Sequence, residues 1–161
     1  MISLSITTGY AIKALMCLES GDCVPRHISE IARCTGVPQA YLAKIFSALA
    51  QQGLVQTKRG YSGGVSLARS AADISLLQIV EAIEGKVWIA ECLLGMNACD
   101  ALTICPTHDF WARIRRKIAE ELRKTNLAAL IASMRRGRPK TRGTQERKKP
   151  SACGCSRTVA A

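Results

Sequence analysis

Between residues 91 and 111 the chain reads ECLLGMNACDALTICPTHDFW. Cys92, Cys99 and Cys105 are separated there by six and five residues, and His108 follows the last of them by three. Thiolate sulfur and neutral imidazole nitrogen are the donors that soft and borderline metal centres take up. Three of the first and one of the second complete a four-ligand set, for one zinc or for an iron–sulfur cluster. The short Cys-x2-Cys knuckles common in closed zinc sites are missing from this stretch, which favours the cluster. The plain alternative is three reduced cysteines in a loop beside a histidine of no special role. Cys105 has a histidine near it, but no third orienting residue and no substrate-cradling motif accompanies the pair. The expectation is therefore a protein that is not an enzyme and takes no small-molecule substrate.

The segment that follows must hold the last two donors. Pro106 stops any preceding helix, and Thr107 is a good N-cap for HDFWARIRRKIAEELRK, so His108 falls in the first helical turn and Cys105 just outside it. Backbone amides and the positive end of the helix dipole favour a thiolate at that place. Along the helix Trp111, Ile114, Ile118 and Leu122 recur at spacings of three, four and four, with Arg and Lys outside. Such a narrow apolar seam suits a helix that pairs with another helix, either within its own subunit or across a dimer. Thr125-Asn126 then caps a short last helix, LAALIASM.

Upstream, a first helix from Leu4 to Leu18 places Ile6, Tyr10, Ile12, Leu15, Met16 and Leu18 on one broad face. Ile28, Ile31 and Ala32 mark a short helix ended by Thr35-Gly36. A second, from about Gln39 to Gln52, puts Leu42, Ile45, Phe46 and Leu49 on one side and Gly53 at its C-terminal cap. Two short helices joined by a tight turn containing Gly form a helix-turn-helix. Leu54–Lys58 and Val65–Ala68 have strand character around an Arg-Gly-Tyr-Ser-Gly-Gly tip, which makes a hairpin. In that order the elements spell a winged helix. Gln39, Tyr41 and Lys44 occupy the end of the second helix that would meet base edges and phosphates in a major groove. Lys58 and Arg59 on the wing would reach an adjacent A/T-rich minor groove. Gly60, Gly63 and Gly64 permit tight turns and positive φ at the wing tip. Asp73–Glu84 adds a further amphipathic helix that buries Leu76, Leu77, Ile79, Val80 and Ile83.

Composition sets the frame. The 161 residues are 48% hydrophobic but only 4% aromatic, and eight are cysteines, so the core should be aliphatic and helical. The amino-terminal segment lacks a basic n-region and no apolar run approaches 18 residues; the expectation is a cytoplasmic protein with no membrane partner and reduced thiols. The net charge of +11 is uneven: from Arg135 onward nine Lys/Arg face one acid, leaving the first 134 residues with 14 basic and 11 acidic side chains. That tail has no periodicity and is expected to be disordered. Its Arg136-Gly137-Arg138-Pro139 core resembles an AT-hook, whose arginines (here Arg136 and Arg138) lie in A/T-rich minor grooves.

The segments AYLAKIFSALAQQGLV, KRGYSGGV, ADISLLQIVEAIEG and CPTHDFW, with Leu4-Ser5 and Tyr10-Ala11, resemble the winged-helix iron–sulfur repressors of the IscR/NsrR/RirA family over roughly residues 1–134. The resemblance implies a homodimer on a pseudo-palindromic double-stranded DNA operator, with an iron–sulfur cluster, [2Fe–2S] ahead of [4Fe–4S], near the dimer interface. It maps the cluster cysteines onto Cys92, Cys99 and Cys105 and the histidine ligand of the IscR branch onto His108. Arg59 matches the wing arginine and Tyr41 a recognition-helix contact. Three departures stand out: the first cysteine spacing is six where five is usual, Gly9 replaces an acidic ligand of the nitric-oxide-sensing branch, and Lys44 replaces a common Gln. The expected fold is mainly α with a small β-wing. The winged helix-turn-helix spans 1–84, the cysteine loop 85–106, the dimerisation helix and short last helix 107–134, and the basic tail 135–161. A winged-helix regulator with a structural zinc or thiol-redox site is the alternative.

Overall fold

The structure, a computed structural model, describes residues 4–19, 27–58, 60, 63–89, 93–94 and 105–136, with the backbone alone at 135–136. Leu42, Ile45, Phe46 and Leu49 share one stripe of helix α3 (Gln39–Gln51), and all four are buried. Around that stripe pack α1 (Ile6–Glu19), α2 (Ile28–Thr35) and α4 (Leu76–Glu84). Leu15 and Leu18 of α1, Ile31 of α2 and Ile79 of α4 complete an almost wholly aliphatic core with Phe46 at its centre. The low aromatic content thus becomes a core of Leu, Ile, Val and Ala.

The connections follow from local chemistry. Gly36 ends α2 at φ 71°, its N–H donating to the Ala32 carbonyl at 2.9 Å. Val37, next in the turn, is buried and plugs the corner between α2 and α3. At the far end of α3, Gly53 adopts φ 65°; its N–H reaches the Ala50 carbonyl and that of Leu54 the Leu49 carbonyl, both at 3.0 Å. This is a Schellman closure with its usual apolar contact, since Leu49 and Leu54 are both buried. Strands β1 (Val55–Lys58) and β2 (Gly64–Leu67) then pair antiparallel, Val55 opposite Leu67 and Lys58 opposite Gly64. Val55 and Val65 turn inward, which ties the base of the hairpin to the core.

Two expectations shift. The helix expected from Asp73 begins at Leu76, after a 3-10 turn at Ala71–Asp73. Ser75 stops it there: its hydroxyl accepts from the Gln78 N–H, and the Gln78 side chain accepts from the Ser75 N–H at 3.0 Å, a reciprocal capping box. Leu77, Ile79 and Val80 are fully buried, whereas Leu76 and Ile83 are half-buried. In α1, Ile6 is 74% exposed. The buried stripe runs through Thr8, Ala11, Leu15 and Leu18, and Ile6 sits about 200° around the helix from Thr8.

The chain closes with α5 (His108–Lys124), which packs on α4, and α6 (Leu127–Arg136), which packs on the 71–73 turn. Asn126 caps α6 through its side-chain oxygen, and Leu127 enters the core. The N–H groups of Leu76 and Leu127 donate to the Thr125 and Ile74 carbonyls, so the starts of α4 and α6 are stitched together. Helix α6 takes in Arg135 and Arg136, two residues that charge alone assigns to the tail.

The beginning of α1 is fastened to the end of α4. Ser5 donates its N–H to Glu84 Oε1 at 2.9 Å, and the Thr8 hydroxyl donates to the same oxygen. Thr8 is fully buried, and Glu84 satisfies it. Partial burial pushes the Glu84 carboxyl up, but the bonds from Ser5 and Thr8 outweigh it and hold the group below the ordinary carboxylate range. A depressed folded pKa means that the unfolded chain binds the proton more readily, so this stabilisation is present above the ordinary pKa and is lost as pH falls through the folded value. Glu84→Gln should cost about 0.5–1 kcal/mol at pH 7, a low figure because the group is half-exposed and screened. The gap between wild type and variant in urea melts should narrow towards acid pH; a gap independent of pH would contradict the assignment.

Candidate nucleic-acid interface and ligand loop

Burying one side of α3 leaves Gln39, Tyr41, Ala43, Lys44 and Ser47 on the exposed side. Gln39, Ala43 and Ser47 face the hairpin across an open cleft of about 780 Å³, whose other wall is Thr57, Lys58, Gly60, Gly63 and Gly64. Five of the residues singled out from sequence (Gln39, Lys58, Gly60, Gly63 and Gly64) are therefore gathered on one cleft. Tyr41 and Lys44 are exposed but lie outside its lining. Arg59 falls outside the described residues, as do Arg138 and the side chain of Arg136. At the tip the Gly63 N–H donates to the Gly60 carbonyl at 2.9 Å, and Gly60 has φ 108°, a conformation that side chains disfavour.

Tyr41 has a neighbour that sequence spacing did not suggest. Its ring meets that of Tyr10 on α1 edge to face, with centroids 6.5 Å apart and planes at 86°. Lys13 Nζ lies 6.0 Å from the centre of the Tyr10 ring. Thirty residues separate the two tyrosines in the chain, and Tyr10 fits an ordinary apolar helix face, so no local pattern announces the pair.

At the opposite end of the chain's path, Cys105 precedes α5 and His108 is its first residue, with the His108 N–H donating to the Cys105 carbonyl at 3.1 Å. Thr107 differs from expectation. It stands at the cap position, but its backbone is already helical (φ −95°, ψ −4°) and its hydroxyl caps nothing. The hydroxyl instead lies 3.2 Å from Cys105 Sγ. That contact, followed by the Thr107 N–H, brings the Cys105 thiol below its usual range; slight desolvation opposes the shift and the His108 N–H adds to it. Cys92 and Cys99 lie outside the described residues, and among those described no three His, Cys, Asp or Glu side chains converge. Further along α5 only Trp111 of the apolar seam is fully buried, while Ile114, Ile118 and Leu122 stay half-exposed and off the main core.

A family model described as Rrf2, iron-dependent transcriptional regulator, matches residues 4–133. The chain belongs to the Rrf2 family. Among its relatives, protein aau3 of Rhizobium meliloti (strain 1021) is 43% identical over 104 residues, covering 63% of this chain and 67% of that one. The HTH-type transcriptional regulator IscR of Yersinia pestis is 31% identical over 124 residues, or 76% of this chain and 74% of the relative. Among solved structures, CymR, the global cysteine regulator of B. subtilis, superposes with a TM-score of 0.68 at 25% identity, covering 83% of this chain and 98% of that one. The protein is thus a DNA-binding transcriptional regulator of the Rrf2 type, with the winged helix-turn-helix fold, and its family is one of regulators and not of enzymes. The Rrf2 match stops at residue 133, short of the basic tail. No helix among the described residues is long and apolar enough to cross a membrane.

The Gly60 turn offers a local test of this interface. A Cβ there would meet nothing within 4 Å, so Gly60→Ala brings backbone strain alone, of order 1–3 kcal/mol. The exposed tip can relieve that strain by changing shape. DNA affinity should fall several-fold in anisotropy titrations while the unfolding midpoint barely moves; an unaltered affinity would take the tip off the DNA.

Proposed function

We propose that the protein is a cytoplasmic, homodimeric repressor whose affinity for a pseudo-palindromic operator is set by an iron–sulfur cluster held by Cys92, Cys99, Cys105 and His108. The observation that carries this reading is the start of α5, where Cys105 is held towards thiolate by Thr107 and His108 follows within one helical turn. The four-donor set would serve a [2Fe–2S] or a [4Fe–4S] centre, and the resemblance to the IscR branch favours the first. When bound, such a group would supply an iron–sulfide centre that responds to iron supply, oxidants or nitric oxide. The chain's own residues do the rest. Cys105 and His108 tie the cysteine loop (residues 85–106) to α5, and the half-exposed Ile114, Ile118 and Leu122 supply an apolar seam for the same helix of a second subunit. The division into a DNA-binding unit (1–84), this loop, a dimerisation segment (107–134) and a basic tail follows the same reading.

On DNA, Gln39 reads adenine through paired hydrogen bonds, Tyr41 takes a phosphate or thymine methyl, and Lys44 takes phosphate or guanine. Lys58 and Arg59 enter the neighbouring minor groove, with Gly60, Gly63 and Gly64 allowing close approach. Paired recognition helices must lie about 34 Å apart, or a multiple of that. A difference of about 1.4 kcal/mol between liganded and free states would alter operator affinity tenfold. A second reading, a structural zinc or thiol-redox site in place of the cluster, draws on the six-residue first spacing and on the likeness to a cysteine regulator.

Anaerobic purification separates the two. The cluster reading expects a coloured protein with matching iron and sulfide, loss of both in Cys105→Ser, and a promoter footprint that differs between loaded and apo forms. A colourless, zinc-loaded protein would favour the second reading, and a loaded protein with an unaltered footprint would remove the sensing role.

The tail contributes separately. Arg138, just beyond the end of α6, would enter an A/T-rich minor groove, and Arg136 would join it if the last turn of α6 opens, with the surrounding cations on phosphates. Removing residues 137–161 should lower nonspecific DNA affinity and flatten its dependence on salt; an identical salt slope would show that the tail does not touch DNA.

A further inference from the structure

Helix α1 is poor in charge: between Ile6 and Glu19 its only ionised residues are Lys13 and Glu19. Its single cation, Lys13, lies over the Tyr10 ring one turn earlier on the same helix, and that ring in turn meets Tyr41 in the first turn of α3. Tyr10 is half-buried against the core and is fixed from below, whereas Tyr41 is 54% exposed and Lys13 is exposed. The arrangement is thus a half-buried anchor beside two exposed polar tips. Lys13 makes no salt bridge with any described residue, so its charge is not neutralised by a neighbouring carboxylate within the described fold.

We propose that Tyr10 and Lys13 extend the DNA-contacting surface onto α1, with Lys13 binding a backbone phosphate beside the recognition helix and Tyr10 acting as a positioning residue that holds the Tyr41 ring. The proposal rests on α3 being the recognition helix. Edge-to-face packing against an anchored ring restricts where the Tyr41 hydroxyl can point, so less freedom is lost when it meets its partner. A lysine in that neighbourhood acts as a mobile point charge suited to phosphate, carrying no base preference of its own. The pair would set register and affinity, leaving sequence choice to Gln39 and Lys44.

The test uses the full chain and a duplex that it selects from a random-sequence pool, followed by affinity against salt and phosphate ethylation interference. Lys13→Gln should reduce the slope of log affinity against log salt by about 0.9 per subunit and erase interference at one phosphate per half-site. The selected sequence itself should stay the same. Tyr10→Leu should weaken binding by about three- to tenfold, Tyr10→Phe should restore it, and Tyr10→Leu should add nothing in a Tyr41→Leu background. A salt slope and interference pattern unmoved by Lys13→Gln would overturn the phosphate contact. Additive losses at Tyr10 and Tyr41, or no rescue by Phe, would reduce Tyr10 to a core residue. If variants of Gln39 and Lys44 leave the selected sequence unchanged while Lys13→Gln removes its phosphate, the recognition-helix reading fails and the α1 contact stands; failure to select any duplex would end both.

Discussion

One constraint governs the rest: α3 must bury Leu42, Ile45, Phe46 and Leu49 together. A helix that commits one stripe to a core has no freedom left in its rotation, so the opposite face is determined in the same act. Gln39, Tyr41, Ala43, Lys44 and Ser47 face outward because those four do not. The Schellman closure at Gly53 then aims the chain directly into β1, with Leu54 still in the core. The hairpin returns along a fixed register and presents Lys58 and the glycine tip to the same cleft. Recognition helix and wing are thereby positioned by apolar packing and two helix ends, without any polar contact between them needing to be strong.

The second organising contact is polar. Glu84 ends α4 and satisfies both the Ser5 N–H at the start of α1 and the buried Thr8 hydroxyl. A carboxylate at a helix amino terminus also meets the positive end of the dipole. Since the cysteine-bearing segment begins immediately after this residue, its starting point is fixed relative to α1. Its point of return is fixed by Pro106, Thr107 and the first turn of α5. Helix α5 has Cys105 and His108 at its amino end and a half-exposed apolar seam along its length.

Much of this was legible along the chain because it depends on local chemistry. The buried stripe of α3, the Gly36 turn, the hairpin and the caps at Asn126 and Gly53 all follow from residue spacing and from the backbone freedom of particular side chains. The Cys105–His108 pair at the head of α5 was legible for the same reason. Where local reading failed, a neighbouring group had intervened. Ser75 and Gln78 close a capping box that delays α4, the Cys105 thiol draws the Thr107 hydroxyl away from capping, and Ile6 loses its place in the core because no element among the described residues covers that side of α1.

Sequence alone determined which side chains have the chemistry of soft metal donors, which helix carries the apolar stripe, and that the positive charge is concentrated beyond residue 134. These are properties of side-chain type and of helix or strand period, and they need no partner. Only tertiary structure decided that Tyr10 would meet Tyr41 and that Glu84 would hold the start of α1. Each of those contacts joins residues separated by tens of positions, and nothing in local backbone preference encodes which helix faces which until the core has closed.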